Sequence, residues 1–135
     1  MKRFLDSSVL IESCLSQSPK FLAADALVNC PDTFTSAHAL AEAYATLSGD
    51  PRLKIKPADA ARMVEDLVKA LGVRALAVAD YRQLISSAPA KGIRGGTIYD
   101  ALHAQTARLC GCQEVHTLNA AHFQQVAPDL AVVGL

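Results

Sequence analysis

The chain has 135 residues, 51% of them hydrophobic, with no Trp, and its 13 basic and 13 acidic side chains cancel. A chain of that size buries roughly two thirds of its unfolded surface around one core, and zero net charge excludes nucleic-acid binding by bulk electrostatics, so such a role needs a local basic patch or a metal. The 4 cysteines, without a secretory signal, read as reduced thiols. No apolar run reaches the ~20 residues of a bilayer-spanning helix. One soluble, cytoplasmic domain over residues 1–135 is expected.

Lys2 to Leu5 is a short strand ending at Asp6, and the following SSVLIESCLS is a helix capped by Ser7 or Ser8. Pro19 opens a second helix with Phe21, Leu22, Ala26 and Leu27 as its apolar stripe. TFTS is a strand, and SAHALAEAYATLSG a helix with Leu40, Ala43, Tyr44 and Leu47 on one face and Glu42 away from it. Gly49, Pro51 and Pro57 bracket DPRLKIK, the most basic loop, before an amphipathic helix burying Ala60, Val64, Leu67, Val68 and Leu71. VRALAV is a strand, and Asp80 with Gln83 resembles a capping box for a helix carrying Tyr81, Leu84, Ile85 and Ala88. Gly95 and Gly96 break the chain ahead of a helix capped by Thr97, which places Asp100 in its first turn. Gly111 stops that helix, EVHTL is a strand with Asn119 at its end, and a short helical turn near Phe123 precedes a last strand around LAVVG. Strands alternating with helices predict an α/β sandwich around a mostly parallel sheet, because parallel neighbours need a crossover.

Carboxyl ends of strands are where open α/β sheets bind ligands, which draws the eye to Asp6 and Asn119. Asp6, Glu42 and Asp100 stand in apolar surroundings with no neighbouring Lys or Arg in sequence. Brought together, they would raise one another's pKa, and a hard divalent cation such as Mg²⁺ or Mn²⁺ would relieve the repulsion. That donor set suits phosphoryl transfer to water. Each residue also has a structural alternative: Asp6 and Asn119 as caps, Asp100 as the partner of Thr97 in a capping pattern, Glu42 as a solvated acid. His38 with Glu42 and Asp100 with His103 share helix faces, so a zinc hydrolase is a competing chemistry.

The segments FLDSSVLIE, HALAEAYATL, GTIYDALHAQTA and VHTLNAAHF, in that order and spacing, resemble the PIN domain, and more narrowly the VapC-type toxin ribonucleases of bacterial toxin–antitoxin pairs. The resemblance implies a three-layer α/β/α sandwich whose acids meet at the carboxyl edge of the sheet. It implies that Asp6, Glu42 and Asp100 hold the metal and that Ser8 supports the first acid. Many members have a fourth acid where this chain has Asn119, and an amide oxygen is a weaker ligand for a hard cation. The implied activity is a metal-dependent endoribonuclease, a toxin in a VapBC-like pair. The alternatives are a catalytically weakened PIN-like RNA- or protein-binding module and an RNA-processing nuclease outside such pairs. A homodimer and a small antitoxin are the implied partners.

For RNA, Arg52, Lys54 and Lys56 before Pro57, with Lys91 and Arg94 before the Asp100 helix, are candidate phosphate contacts; the alternative is two solvated loops. Tyr81 and Tyr99 are the candidates for base stacking. An apolar groove between Phe21–Leu27 and Ala58–Leu71 is the expected seat of an antitoxin helix.

Overall fold

The computed structural model describes residues 1–135. Five strands, β1 (Arg3–Leu5), β2 (Thr33–Ser36), β3 (Gly72–Arg74), β4 (Glu114–Thr117) and β5 (Ala131–Gly134), form one sheet in the order β3-β2-β1-β4-β5. Every pairing is parallel, with Phe4 opposite Phe34 and Val115, and Leu5 opposite His116. Seven helices connect the strands: α1 (Ser7–Glu12), α2 (Phe21–Val28), α3 (Ala37–Gly49), α4 (Pro57–Ala70), α5 (Val78–Ser87), α6 (Thr97–Leu109) and α7 (Ala120–Val126).

Period-two alternation in the central strand divides the core. Phe4 faces Ala101, Ala104 and Ala107 of α6 and Phe123 of α7, whereas Leu5 packs with Val9, Leu10, Ala24, Ala39, Ala43 and Leu67 from α1 to α4. Helices therefore cover both faces, giving the expected three-layer α/β/α sandwich, and Phe4 and Leu5 of β1, buried on opposite faces, can both be apolar. The chain winds outward from β1 to β2 to β3, then returns past β1 to β4 and β5. That reversal puts the topological switch point at the carboxyl ends of β1 and β4, where such sheets open a crevice.

Several local expectations change. Asp6, rather than Ser7 or Ser8, caps α1, accepting from the Val9 N–H. Pro19 and Lys20 precede α2 as a turn, and its buried residues are Ala24 and Val28, with Leu22 80% exposed. This segment is apolar almost all round, so period alone selects no face, and the small Ala24 is the one that fits against the sheet's cover. In α4, Val68 faces outward, and in α5 so does Ile85. The strand predicted over VRALAV is only Gly72–Arg74, at the sheet edge. Asp80 is the third residue of α5 and reaches back to the Ala77 N–H, so it supplies one half of a capping box without Gln83.

Gly72 marks a close approach. A Cβ there would meet the Phe34 ring at 2.5 Å. Gly72→Ala is expected to destabilise the fold by about 1–3 kcal/mol through overpacking, read as a lowered thermal midpoint; an unchanged midpoint would mean that the Phe34 ring swings aside freely.

Candidate active site

Asp6 leaves β1 at the switch point and is almost fully buried, at 4% exposure. Its Oδ1 accepts from the Ser8 hydroxyl at 2.5 Å and from the Val9 N–H at 3.3 Å, and its Oδ2 accepts from the Thr117 hydroxyl of β4 at 2.6 Å. Ser8 Oγ and Thr117 Oγ1 in turn accept from the backbone N–H groups of Leu118 and Asn119. The carboxylate is thus locked between the ends of two neighbouring strands, and no rotation is left to it.

Glu42 comes from the second turn of α3, half-buried, and its Oε1 lies 2.6 Å from Nε2 of His103. Burial alone would push its pKa up, but the hydrogen bond and charge of His103, then His38 and the Ser7 hydroxyl, outweigh it and hold Glu42 below the usual glutamate value. The expectation that clustering raises every acid therefore fails at Glu42, because histidines face it.

Asp100 behaves oppositely. Thr97 is the first residue of α6 and does not cap it; Gly96 occupies that place, with Gly95 at a positive φ of 59° turning the chain in. Asp100 likewise makes no capping hydrogen bond, so the capping alternative does not hold for it. Its carboxylate takes no hydrogen bond at all, and the basic side-chain atom that comes nearest is Nδ1 of His122 at 3.8 Å. Burial raises its pKa above the usual aspartate value; the charges of His122 and His103 offset part of that, while Asp6 and Glu42 add to it. These couplings put the three acids in one electrostatic neighbourhood.

Asn119 lies just beyond β4, exposed, and its side chain does not cap α7. The other expected contacts separate. Arg52 pairs with Asp50 and lines a groove with Leu15 and Ile55, away from the acids. Lys91 borders a different cavity, of about 500 Å³, with Arg108 and Asp129. Lys54, Lys56 and Arg94 are exposed and form no ion pair. Tyr99, half-exposed beside Asp100, stacks on His38 with ring centroids 5.3 Å apart.

The zinc alternative finds no support in this arrangement. His103 spends both ring nitrogens on Ser36 and Glu42, and His38 is stacked on Tyr99, so the two helical pairs do not form a tetrahedral set. No three His, Cys, Asp or Glu side chains stand close enough, as they lie, to grip one ion. In kind, however, the donors are carboxylate oxygens, one of them bare and made unfavourable by burial and like charge, which is what a hard cation relieves. Sequence reasoning singles out His103 but pairs it with Asp100 rather than with Glu42, and it misses Thr117, which holds Asp6; the two partners lie 61 and 111 residues from their acids. The one available signal for Thr117 was its place at a strand end beside that of Asp6.

Residues 3–128 match the PIN domain family. No curated protein matches the chain. Solved structures of the same fold include VapC20 of Mycobacterium tuberculosis, described as a sarcin–ricin loop cleaving toxin, at 17% identity over 84% of this chain and 87% of that one, with a TM-score of 0.66. PAE2754 of Pyrobaculum aerophilum is 19% identical over 98% of this chain and 90% of its own, with a TM-score of 0.65. VapBC-1 of nontypeable Haemophilus influenzae is 20% identical over 99% and 98%, with a TM-score of 0.68. The family match runs from the first strand past the last helix, and the chain belongs to the PIN domain family.

Proposed function

We propose that this PIN domain is a metal-dependent endoribonuclease, the toxin of a VapBC-like pair, which hydrolyses RNA phosphodiester bonds and leaves a 5′-phosphate. The observation that carries the reading is Asp100, a half-buried carboxylate without a hydrogen-bond donor, coupled to Asp6 and Glu42 at the switch point of the sheet. Natural folds retain such an uncompensated acid where chemistry needs it.

Asp6, Glu42 and Asp100 are the residues that would hold Mg²⁺ or Mn²⁺. When bound, the ion neutralises the phosphate, orients it and makes water a better nucleophile. Asp6, locked by Ser8 and Thr117, acts as a fixed ligand. Glu42, held by His103, and Asp100, which takes no hydrogen bond, complete the set, and the acids help deprotonate the attacking water. Asn119, exposed at the end of β4, orients that water with its amide. The open face of Tyr99 receives a base of single-stranded RNA, and Lys54, Lys56 and Arg94 contact phosphates.

The toxin reading also calls for an antitoxin and a second copy of the chain. The fold shared with VapC20 and the VapBC-1 structure supports it. The groove between α1, α2 and α4, lined by Val28, Met63 and Leu67 with Asp25 and Asp66 beside them, would accept an apolar helix carrying basic residues.

Purified protein incubated with RNA and Mn²⁺ or Mg²⁺ should cleave it, and chelation by EDTA should stop the reaction. The Asp6→Asn variant should be inactive. Cleavage that survives Asp6→Asn belongs to a contaminant, and RNA binding without cleavage in either metal would favour the weakened binding module instead.

A further inference from the structure

His103 is a buried polar ring whose role the acids alone do not explain. It is 2% exposed, from the second turn of α6, among the rings of Phe4, His38 and Phe123 at centroid distances of 6.0, 5.8 and 6.5 Å. At that burial its polar partners are protein groups, and its hydrogen bonds to Ser36 and Glu42 fix its orientation.

Those bonds run in one direction. Ser36, the N-cap of α3, accepts the Ala39 N–H at 2.9 Å on its Oγ. Its hydroxyl proton then has a single acceptor within reach, Nδ1 of His103 at 2.9 Å. With Nδ1 accepting, the ring proton sits on Nε2, which donates to Oε1 of Glu42 at 2.6 Å; a ring protonated on both nitrogens donates from the same Nε2, so Glu42 is the acceptor in either charge state. The relay starts at the cap of α3, crosses to α6 and returns to α3 at Glu42, tying the acid's position to the rigid start of its own helix.

We infer that His103 is a positioning residue for Glu42: its Nε2–H holds one carboxylate oxygen, fixes the rotamer, and leaves the other oxygen the freer to meet a cation. The inference rests on the reading of Glu42 as a metal ligand. Outer partners of this kind orient the residues that touch the metal, and their loss typically weakens binding by about 10–100-fold.

The test uses the full chain and three substitutions. His103→Gln keeps an amide N–H at the reach of Nε2; His103→Asn keeps a partner for Ser36 at the position of Nδ1 but stops short of Glu42; His103→Leu removes both. Mn²⁺ affinity is read by electron paramagnetic resonance of the free ion, alongside kcat and KM for RNA, with thermal melts reporting folding. Asn and Leu should weaken Mn²⁺ binding by about 10–100-fold and lower kcat with KM for RNA unchanged, and Gln should restore most of both. Equal behaviour of the Asn and Gln variants, or all three matching the wild type, overturns the inference. Should the Leu variant not fold, the Asn and Gln pair still decides. A wild type that binds no Mn²⁺ sinks the metal reading and this inference with it, whereas a wild type that binds while the variants remain unchanged sinks the inference alone.

Discussion

Asp100→Asn should cut RNA cleavage by about 100-fold or more and, in the same protein, raise the melting temperature at neutral pH. The two effects have one cause. Asp100 is held above its usual pKa by burial first, with Asp6 and Glu42 adding repulsion that His122 and His103 only partly offset. A carboxyl with a raised folded-state pKa binds its proton more tightly folded than unfolded, so its ionised form costs stability at every pH above that value. The cost fades as pH falls through the folded pKa toward the unfolded value of 3.8, and the wild type should gain on the variant over that interval. Asparagine keeps the size and removes the charge, so the penalty disappears along with the activity. Melts of both proteins at neutral and mildly acidic pH measure it. A variant that melts lower at neutral pH would mark Asp100 as a structural acid and remove the main support for the nuclease reading.

Much of the fold was legible because it depends on short-range rules. Turn residues and apolar runs located the strands and helices, and alternation of the two forced a parallel sheet. The acids could be picked out because two of them sit where a strand ends or a helix begins. What sequence could not supply was partnership. The pattern from Thr97 to Asp100 looks like a cap, yet Gly95 and Gly96 let the chain enter α6 one residue earlier and free Asp100 from that duty. Ser7 and Ser8 are good cap residues by type, but Asp6 already fills that place, and Ser8 turns back to donate to it. In α2 the stripe was misplaced because nearly every residue is apolar, so packing against α1 and the sheet selected the face. The pKa of Glu42 went the other way from simple clustering because His103, on a helix encoded 61 residues later, folds onto it.

Asp6 should separate from Asp100 when stability is measured, because its carboxylate is fully paired rather than bare. Asp6→Ala removes the cap of α1 and the acceptors of the Ser8 and Thr117 hydroxyls, all in a buried position. A lost cap costs about 1 kcal/mol and each buried donor left without a partner about 1–3 kcal/mol, so the loss should be about 2–4 kcal/mol after relaxation. For a chain of this size that is a fall of roughly 10 °C in the melting temperature. Asp6→Asn should fall much less. Its Oδ1 still accepts from Ser8 and Val9, so the cap survives, and only the Thr117 hydroxyl, whose proton Oδ2 accepted, has to find another acceptor when the amide faces it, a cost of about 1 kcal/mol. Asn therefore removes the charge with little loss of structure, which makes it the proper activity control. Thr117→Val tests the lock itself, leaving Oδ2 of Asp6 and the Asn119 N–H without their partner, and should cost about 1–3 kcal/mol. The decisive comparison is the order of thermal midpoints, with Asp100→Asn above the wild type, Asp6→Asn slightly below it and Asp6→Ala far below. An Asp6→Ala protein that melts with the wild type would show that the hydroxyls find other partners and that the carboxylate does not hold β1 and β4 together at the site.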